Sequence, residues 1–334
     1  MSLDRRLSVA PMMDWTDRHC RYFLRGFSPR VLLYTEMITA AAIEHDDVER
    51  LLRHSPEEHP LALQLGGSDP RALVLATRAG VEAGYDEINL NCGCPSERVR
   101  EGSFGACLML EPELVAACVS AMRDAAGVVP VTVKMRIGVV GGGAREARAD
   151  FTAADYDRLR HFTATVAAAG CGRFIVHARK AVLGGLSPRE NREVPPLCFD
   201  VVQRLCADFP QLSFVLNGGL RTADAAAGAL TWAGGVMLGR EAYHRPYVLA
   251  ELHRRVFDPQ WQPPEPEALL ERMARYAQVQ LARGDSLPSI TRHMLGLLSG
   301  RPGARRFRQR LSEGARSPGR GAELLREAME WCNA

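Results

Sequence analysis

The chain is 334 residues long, 46% hydrophobic and 24% charged, with a net charge of +3, enough apolar side chains for one large folded core and an appendage. So small a charge leaves a nucleic-acid partner to be decided by where the cations lie. No stretch approaches the ~20 apolar residues of a membrane span, and residues 1–10 lack the apolar region of a signal peptide. The nine cysteines are scattered, with Cys92 and Cys94 the only close pair and no second pair to complete a zinc site. A soluble cytoplasmic protein with reduced thiols, no metal and no membrane contact is expected.

From Leu7 to about Phe257, short apolar runs alternate with longer amphipathic stretches, the pattern of repeated βα units. In chain order the strands are predicted at Leu7–Ala10, Leu32–Thr35, Leu61–Leu65, Glu87–Leu90, Val131–Met135, Phe174–Val176, Phe214–Leu216 and Val236–Leu238. Helix patterns fall between them, as at Pro70–Glu82, Pro112–Ala125, Ala154–Ala169 and Ala223–Ala229, several opened by Asp, Thr or Pro in the manner of helix caps. Eight such units in roughly 250 residues fit a (β/α)8 TIM barrel better than an open doubly wound sheet. No G-x-G-x-x-G follows the first strand. The loop Val139–Ala149, with three consecutive glycines, reads as a flexible segment, either a cover for a pocket or a surface insertion.

Four prolines within Asp258–Pro266 make a linker. Beyond it, helices are predicted at Glu267–Ala282, Ser289–Leu298, Ala304–Glu313 and Gly321–Cys332. The expected organisation is a catalytic barrel over residues 1–258, a linker over 259–266 and a small helical domain over 267–334. From Arg292 to Arg310 there are six arginines and no acid. Such a run is either a solvated face or the footprint of a phosphate backbone.

In an α/β barrel the carboxyl ends of the strands hold the chemistry, because the backbone is fixed there while the side chains face an open mouth. These ends carry Met12, Met13 and Asp14, Glu36, Gln64, Asn89 with Asn91 and Cys94, Lys134 with Arg136, His177 with Arg179, Asn217 with Gly218 and Gly219, and Gly239 with Arg240. Cys94 is a candidate catalytic thiol, its alternative being a small buried hydrophobe. Of the 42 basic residues only Lys134 and Lys180 are lysines, which is either chance or a compact ammonium kept where a planar guanidinium would not serve. Lys134 comes directly off its strand and is expected to point into the site; Lys180 is expected on a rim. The glycine turns after strands seven and eight, with Arg240, stand where such barrels bind phosphate.

These residues resemble a known family. Ala10–Asp17 (APMMDWTD), Tyr34–Met37 (YTEM), Leu63–Gly67 (LQLGG), Asn89–Ser96 (NLNCGCPS), Val131–Lys134 (VTVK), Val176–Lys180 (VHARK), Asn217–Gly219 (NGG) and Leu238–Arg240 (LGR) look like the tRNA-dihydrouridine synthases. Ser187–Leu197 is most similar to the bacterial A-type, which acts on positions 20 and 20a of the tRNA D-loop. The match is specific over Leu7–Phe257 and weaker in the C-terminal helices.

The resemblance implies an FMN enzyme, monomeric, that uses NADPH to reduce the C5–C6 double bond of a uracil within tRNA. It assigns FMN contacts to Pro11, Met12, Met13, Gln64, Lys134, His177, Asn217, Gly218, Gly219, Gly239 and Arg240, and the proton donor to Cys94. It gives the uracil to Asn91 and Arg179. Lys180, Arg292, Arg305, Arg306 and Arg308 are expected to touch tRNA phosphates. An ordinary thiol is mostly protonated at neutral pH and is a competent acid. Three other readings use some of the same residues: a flavin barrel acting on a free pyrimidine, a lyase in which Lys134 forms a Schiff base with a sugar phosphate, and a non-catalytic RNA-binding protein.

Overall fold

The computed structural model describes residues 3–96, 102 and 104–330. Its strands are β1 (Leu7–Val9), β2 (Leu33–Thr39), β3 (Leu61–Gly66), β4 (Glu87–Cys92), β5 (Val131–Arg136), β6 (Val139–Gly141), β7 (Arg173–His177), β8 (Ala181–Leu183), β9 (Ser213–Asn217) and β10 (Gly235–Leu238). Eight of them form one parallel sheet in the order β1-β10-β9-β7-β5-β4-β3-β2. Ser8 bridges Leu32, the Val9 N–H donates to the Leu32 carbonyl at 2.9 Å and the Leu32 N–H to the Leu7 carbonyl at 3.0 Å, which joins the two edges into the expected barrel.

The alternation of side chains along each strand sorts the apolar residues into two concentric cores. Leu7, Leu33, Leu63, Leu90, Val133, Val176, Leu216 and Val236 face outward into the layer shared with the helices. Ala10, Leu32, Tyr34, Ala62, Ile175, Val215 and Met237 fill the barrel interior. Helices of the outer layer begin where their caps stand: Asp69 accepts from the Arg71 N–H ahead of Pro70–Glu82, and Thr152 and Asp155 form a capping box ahead of Ala153–Ala168.

Three segments differ from the sequence reading. The loop from Val139 contains regular structure, since β6 pairs in parallel with β8 beyond the barrel mouth. β2 continues to Thr39, and its pairing to β3 shifts register between Tyr34 and Met37; such a bulge re-aims the side chains beside it, here Thr35 and Glu36. Ser289–Leu298 is a short helix, Leu287–Thr291, followed by the 3-10 turn Arg292–Met294. Trp331 and Cys332 of the last expected helix lie outside the described residues; Glu323–Glu330 is helical.

The helix Pro266–Ala282 starts within the proline-rich stretch, with Pro266 in its first turn, where the missing N–H is no loss. It packs on Arg18–Leu24, the helix after β1. Tyr276 stacks on Tyr22 with centroids 4.0 Å apart, its hydroxyl meets His19 Nδ1 at 2.8 Å, and Arg18 donates to Gln280 at 2.6 Å. A Cβ at Gly26 would stand 2.5 Å from Leu269, so glycine permits the close approach.

Candidate active site

β4 builds the centre of the site. Its alternation sends Ile88, Leu90 and Cys92 into the outer core and leaves Glu87, Asn89 and Asn91 inside the barrel. Buried amides must find partners, and here they find one another. Asn91 Nδ2 donates to Gln64 Oε1 at 2.8 Å, Gln64 Nε2 to Asn89 Oδ1 at 2.8 Å, and Asn89 Nδ2 to Thr132 Oγ1 at 2.8 Å. Thr132 Oγ1 donates to Glu87 Oε1 at 2.7 Å, and Glu87 also accepts from the Tyr34 hydroxyl at 2.6 Å and Arg5 Nε at 2.5 Å. A continuous ladder thus runs from a buried ion pair at the amino ends of the strands up to the mouth.

At the top, Asn91 Oδ1 accepts the backbone N–H groups of Gly93 and Cys94, each at 3.0 Å. These two bonds fix which end of the amide is oxygen, and they hold the turn that presents Cys94. Asn91 is therefore a positioning residue for the thiol, with one amide N–H left to offer a ligand. Cys94 is half-buried at the mouth, whereas Cys92 is fully buried in the outer core and burial pushes its thiol well up. The two thiols are two residues apart and occupy different environments.

Arg136, one of the strand-end residues given no role in the sequence, ties the mouth together. Buried at the end of β5, it donates through Nε to the Gly93 carbonyl at 3.1 Å and through Nη1 to the carbonyls of Lys180 at 3.4 Å and Asn191 at 3.1 Å. The signal was present: two residues past Lys134 on a strand is the same face. Lys134 itself has no hydrogen-bond or ion-pair partner among the described residues. Burial, and then the guanidinium groups of Arg136 and Arg192, lower its ammonium to about 7, with Cys94 acting in the opposite sense. His177 is pushed well below its usual value by burial and by Arg136, Lys134, Arg179 and Arg192, so its imidazole is neutral at physiological pH.

Across the mouth, Gly218 and Gly219 follow β9 with φ of 101° and 67°. A Cβ on Gly218 would lie 2.4 Å from the His177 ring and one on Gly219 2.3 Å from Leu197, so only glycine fits either place. A Cβ on Gly239 would meet Ala10 and Met12 at 3.8 Å, an ordinary contact. Asn217 Nδ2 donates to the Met237 carbonyl at 2.9 Å and ties β9 to β10. Arg240 donates to Glu193 at 2.5 Å and is 35% exposed, which leaves the rest of its fork facing solvent. On the β1 side, Thr16 Oγ1 accepts from the Met12 N–H at 2.9 Å, while Pro11 and Met12 are half-buried and Met13 is 56% exposed.

These features suit a flat anionic group. Lys134 lacks an anion, Arg179 Nε is buried without a partner, and the turn at Gly218 and Gly219 brings backbone where a side chain would collide. Such a donor set can accept the phosphate and the polar edge of a flavin, which Gly218, Gly219, Gly239 and Arg240 on one side and Gln64, Lys134 and His177 on the other would hold.

The cations expected to meet tRNA divide. Lys180 is a correction: it is buried, with Nζ 2.8 Å from Asp155 Oδ2 and donating to the Asp150 carbonyl at 2.8 Å, so it braces the β7 exit and is not on a rim. No spacing in the sequence joins Lys180 to Asp155, whose local role as a capping residue hides its long-range one. Arg179 donates to the carbonyls of Glu193 at 3.3 Å and of Pro195, holding the Ser187–Leu197 loop. Arg292 reaches Asp17 at 2.6 Å across the seam between helices and barrel. Arg305, Arg306 and Arg308 are exposed on the helix Ala304–Gly314, which is pinned by buried Phe307 and Leu311.

Residues 8–331 match the family model described as dihydrouridine synthase (Dus). The chain is 54% identical over 310 residues to the tRNA-dihydrouridine(20/20a) synthase of Pseudomonas syringae pv. tomato, covering 93% of this chain and 89% of that protein. It is 51% identical over 324 residues to the protein of the same name from Synechocystis, covering 97% and 93%. Among solved structures, morphinone reductase aligns with a TM-score of 0.50 at 11% identity, over 76% of this chain and 86% of that one, a likeness of fold alone. With residues 8–331 matched by the family model and relatives more than half identical over most of both chains, this chain belongs to the dihydrouridine synthase family.

Proposed function

We propose that this chain reduces uridines 20 and 20a in the D-loop of tRNA to 5,6-dihydrouridine, with bound FMN and with NADPH as the reductant. The observation that carries the reading is the mouth itself. Cys94 stands on a turn fixed by Asn91, facing the same opening as a partnerless Lys134 and a glycine cradle.

A flavin held at this mouth and reduced by NADPH would supply the hydride for C6 of the uracil. Cys94 donates the proton to C5. Lys134 would stabilise negative charge on the reduced flavin ring, a task suited to a buried ammonium. Lys134 held near 7 is easily recharged by a nearby anion, so its proton follows the charge of what binds. The remaining Asn91 N–H and Arg179 orient the base.

A base inside folded tRNA cannot enter the barrel without leaving its stack, which costs a few kcal/mol. Contacts from Arg305, Arg306 and Arg308 to phosphates offset that cost. The free-pyrimidine and Schiff-base readings leave this basic helix without a role. The test is incubation of the purified protein with NADPH and an unmodified tRNA transcript, followed by mass mapping. Dihydrouridine at positions 20 and 20a, from a yellow protein that releases FMN, is the expected result; a colourless protein or unmodified uridine at both positions would overturn it.

A further inference from the structure

Two exits that border the glycine cradle carry an aromatic cluster that uracil reduction leaves unused. Trp15 stands in the turn after β1, where its backbone N–H donates to the Met12 carbonyl at 3.1 Å. Tyr243 and His244 stand on the short helix Arg240–His244 after β10. Because β1 and β10 are neighbours in the barrel, the rings meet. Trp15 stacks on Tyr243 with centroids 4.4 Å apart and planes at 21°, and His244 packs edge-on at 5.1 Å from Trp15 and 5.6 Å from Tyr243. A cluster serving only as core would be closed off from water. Here Trp15 and Tyr243 are half-buried and His244 is exposed, and the indole N–H has no partner among the described residues.

The cluster also lies on a seam. The Tyr243 hydroxyl donates to the Arg292 carbonyl at 3.4 Å and meets His293 Nδ1 at 3.1 Å, joining the barrel mouth to the helices that carry the exposed arginines. Its charge suits a polyanion. Arg240 lies beside His244, and the nearby acids are mostly matched: Asp17 by Arg292 at 2.6 Å and His293 at 2.9 Å, Glu241 by Arg245 at 2.5 Å, Glu193 by Arg240 at 2.5 Å. Exposed Asp14 and half-buried Glu36 are the acids here without an ion pair among the described residues. An RNA that rests on the basic helices while one base enters the barrel must cross this seam. The neighbour of an extruded base has lost a stacking partner and needs another.

We propose that Trp15 and Tyr243, edged by His244, form a stacking platform for the nucleobase adjacent to the one being reduced. The inference rests on the tRNA reading above. Stacking on an aromatic face is indifferent to base identity, which suits a site that must accept either of two adjacent uridines as target and hold what stands beside it.

The test places 2-aminopurine immediately 3′ of the target uridine in an otherwise unmodified tRNA transcript and follows its emission on titration with the full-length holoprotein. Wild type should quench the probe. Trp15→Ala should lose most of the quenching and bind about 5- to 150-fold more weakly, the range for removing one base–aromatic stack, while Trp15→Phe recovers much of both. Equal quenching by wild type and Trp15→Ala would overturn the platform. If Trp15→Ala fails to fold by circular dichroism, Trp15→Leu, which keeps apolar bulk and removes the ring, takes its place, and unchanged quenching there overturns the inference equally. Wild type that forms no dihydrouridine on an unlabelled transcript would overturn the reduction reading and the platform with it; normal product formation with unchanged quenching in the variants removes the platform alone.

Discussion

Replacing Lys134 by methionine should alter how the stability of the flavin-free protein depends on pH. Burial with Arg136 and Arg192 lowers the Lys134 ammonium from 10.5 to about 7. Below that value both the folded and unfolded chains carry the proton, and the cost of the buried charge is fully present. Between the two values only the unfolded chain carries it, so stability rises with pH; above 10.5 the cost is gone. Integrated from pH 7 to 8.5, the difference in bound protons amounts to about 1.2 pH units, or about 1.6 kcal/mol at 1.36 kcal/mol per unit. This is a ceiling, because Lys134 keeps some contact with water. Urea unfolding of flavin-free wild type and Lys134→Met at both pH values measures it. Wild type should gain up to about 1.6 kcal/mol more than the variant over that interval, and the variant should be the more stable at pH 7. The buried cysteines titrate alike in both proteins and cancel. Equal pH dependence in the two would refute the assignment of Lys134 as a buried, partnerless cation.

Arg240→Ala should lower the FMN content of the purified protein far more than Arg221→Ala, an exposed arginine after β9, and equal flavin absorbance in the two would remove Arg240 from the phosphate site. Lys180→Ala takes one cation from buried Asp155, which keeps Arg158 at 2.6 Å and its Thr152 cap, and should cost about 1.5–3 kcal/mol of stability, read as a lowered unfolding midpoint. A Lys180 variant of normal stability that binds tRNA poorly would instead return that lysine to the RNA surface. Neutralising Arg305, Arg306 and Arg308 together should weaken tRNA binding and reduce the slope of log affinity against log salt by about 0.7–0.9 for each phosphate that an arginine no longer neutralises; an unchanged slope means that tRNA is held elsewhere.

Much of the barrel was legible because its signal is local. β4 announces itself as Glu-Ile-Asn-Leu-Asn-Cys, a strict alternation that puts polar groups on one face and apolar ones on the other, and the same period separates Cys92 from the mouth. The cluster of Cys94, Lys134, His177 and the glycine turns was foreseen because each ends a strand, and strand ends converge in a barrel. What failed depended on contacts between distant segments. Three glycines suggested a flexible loop, yet Val139–Gly141 gains order by pairing with Ala181–Leu183, a partner some forty residues away. Lys180 looked like a rim cation because nothing near it in the chain reveals the acid that buries it. The bracing role of Asn91 was hidden in the same way: its oxygen is taken by the turn it stabilises, a hydrogen bond no pattern of residue types specifies, while its second N–H stays free for a ligand. The role of Arg136 lay in its fork geometry, which reaches three carbonyls from three separate segments.

The central claim is that Cys94, held by Asn91 at the barrel mouth, supplies the proton that completes reduction of a uridine in tRNA. A single-turnover reaction of NADPH-reduced protein with unmodified tRNA tests it most directly, with flavin reoxidation and dihydrouridine followed together in wild type, Cys94→Ala and Cys92→Ala. Cys94→Ala should keep its flavin and accept electrons from NADPH yet form dihydrouridine some 10²- to 10⁴-fold more slowly, while Cys92→Ala, changed only in the outer core, turns over near the wild-type rate. A fast Cys94→Ala beside an inactive Cys92→Ala would contradict the account.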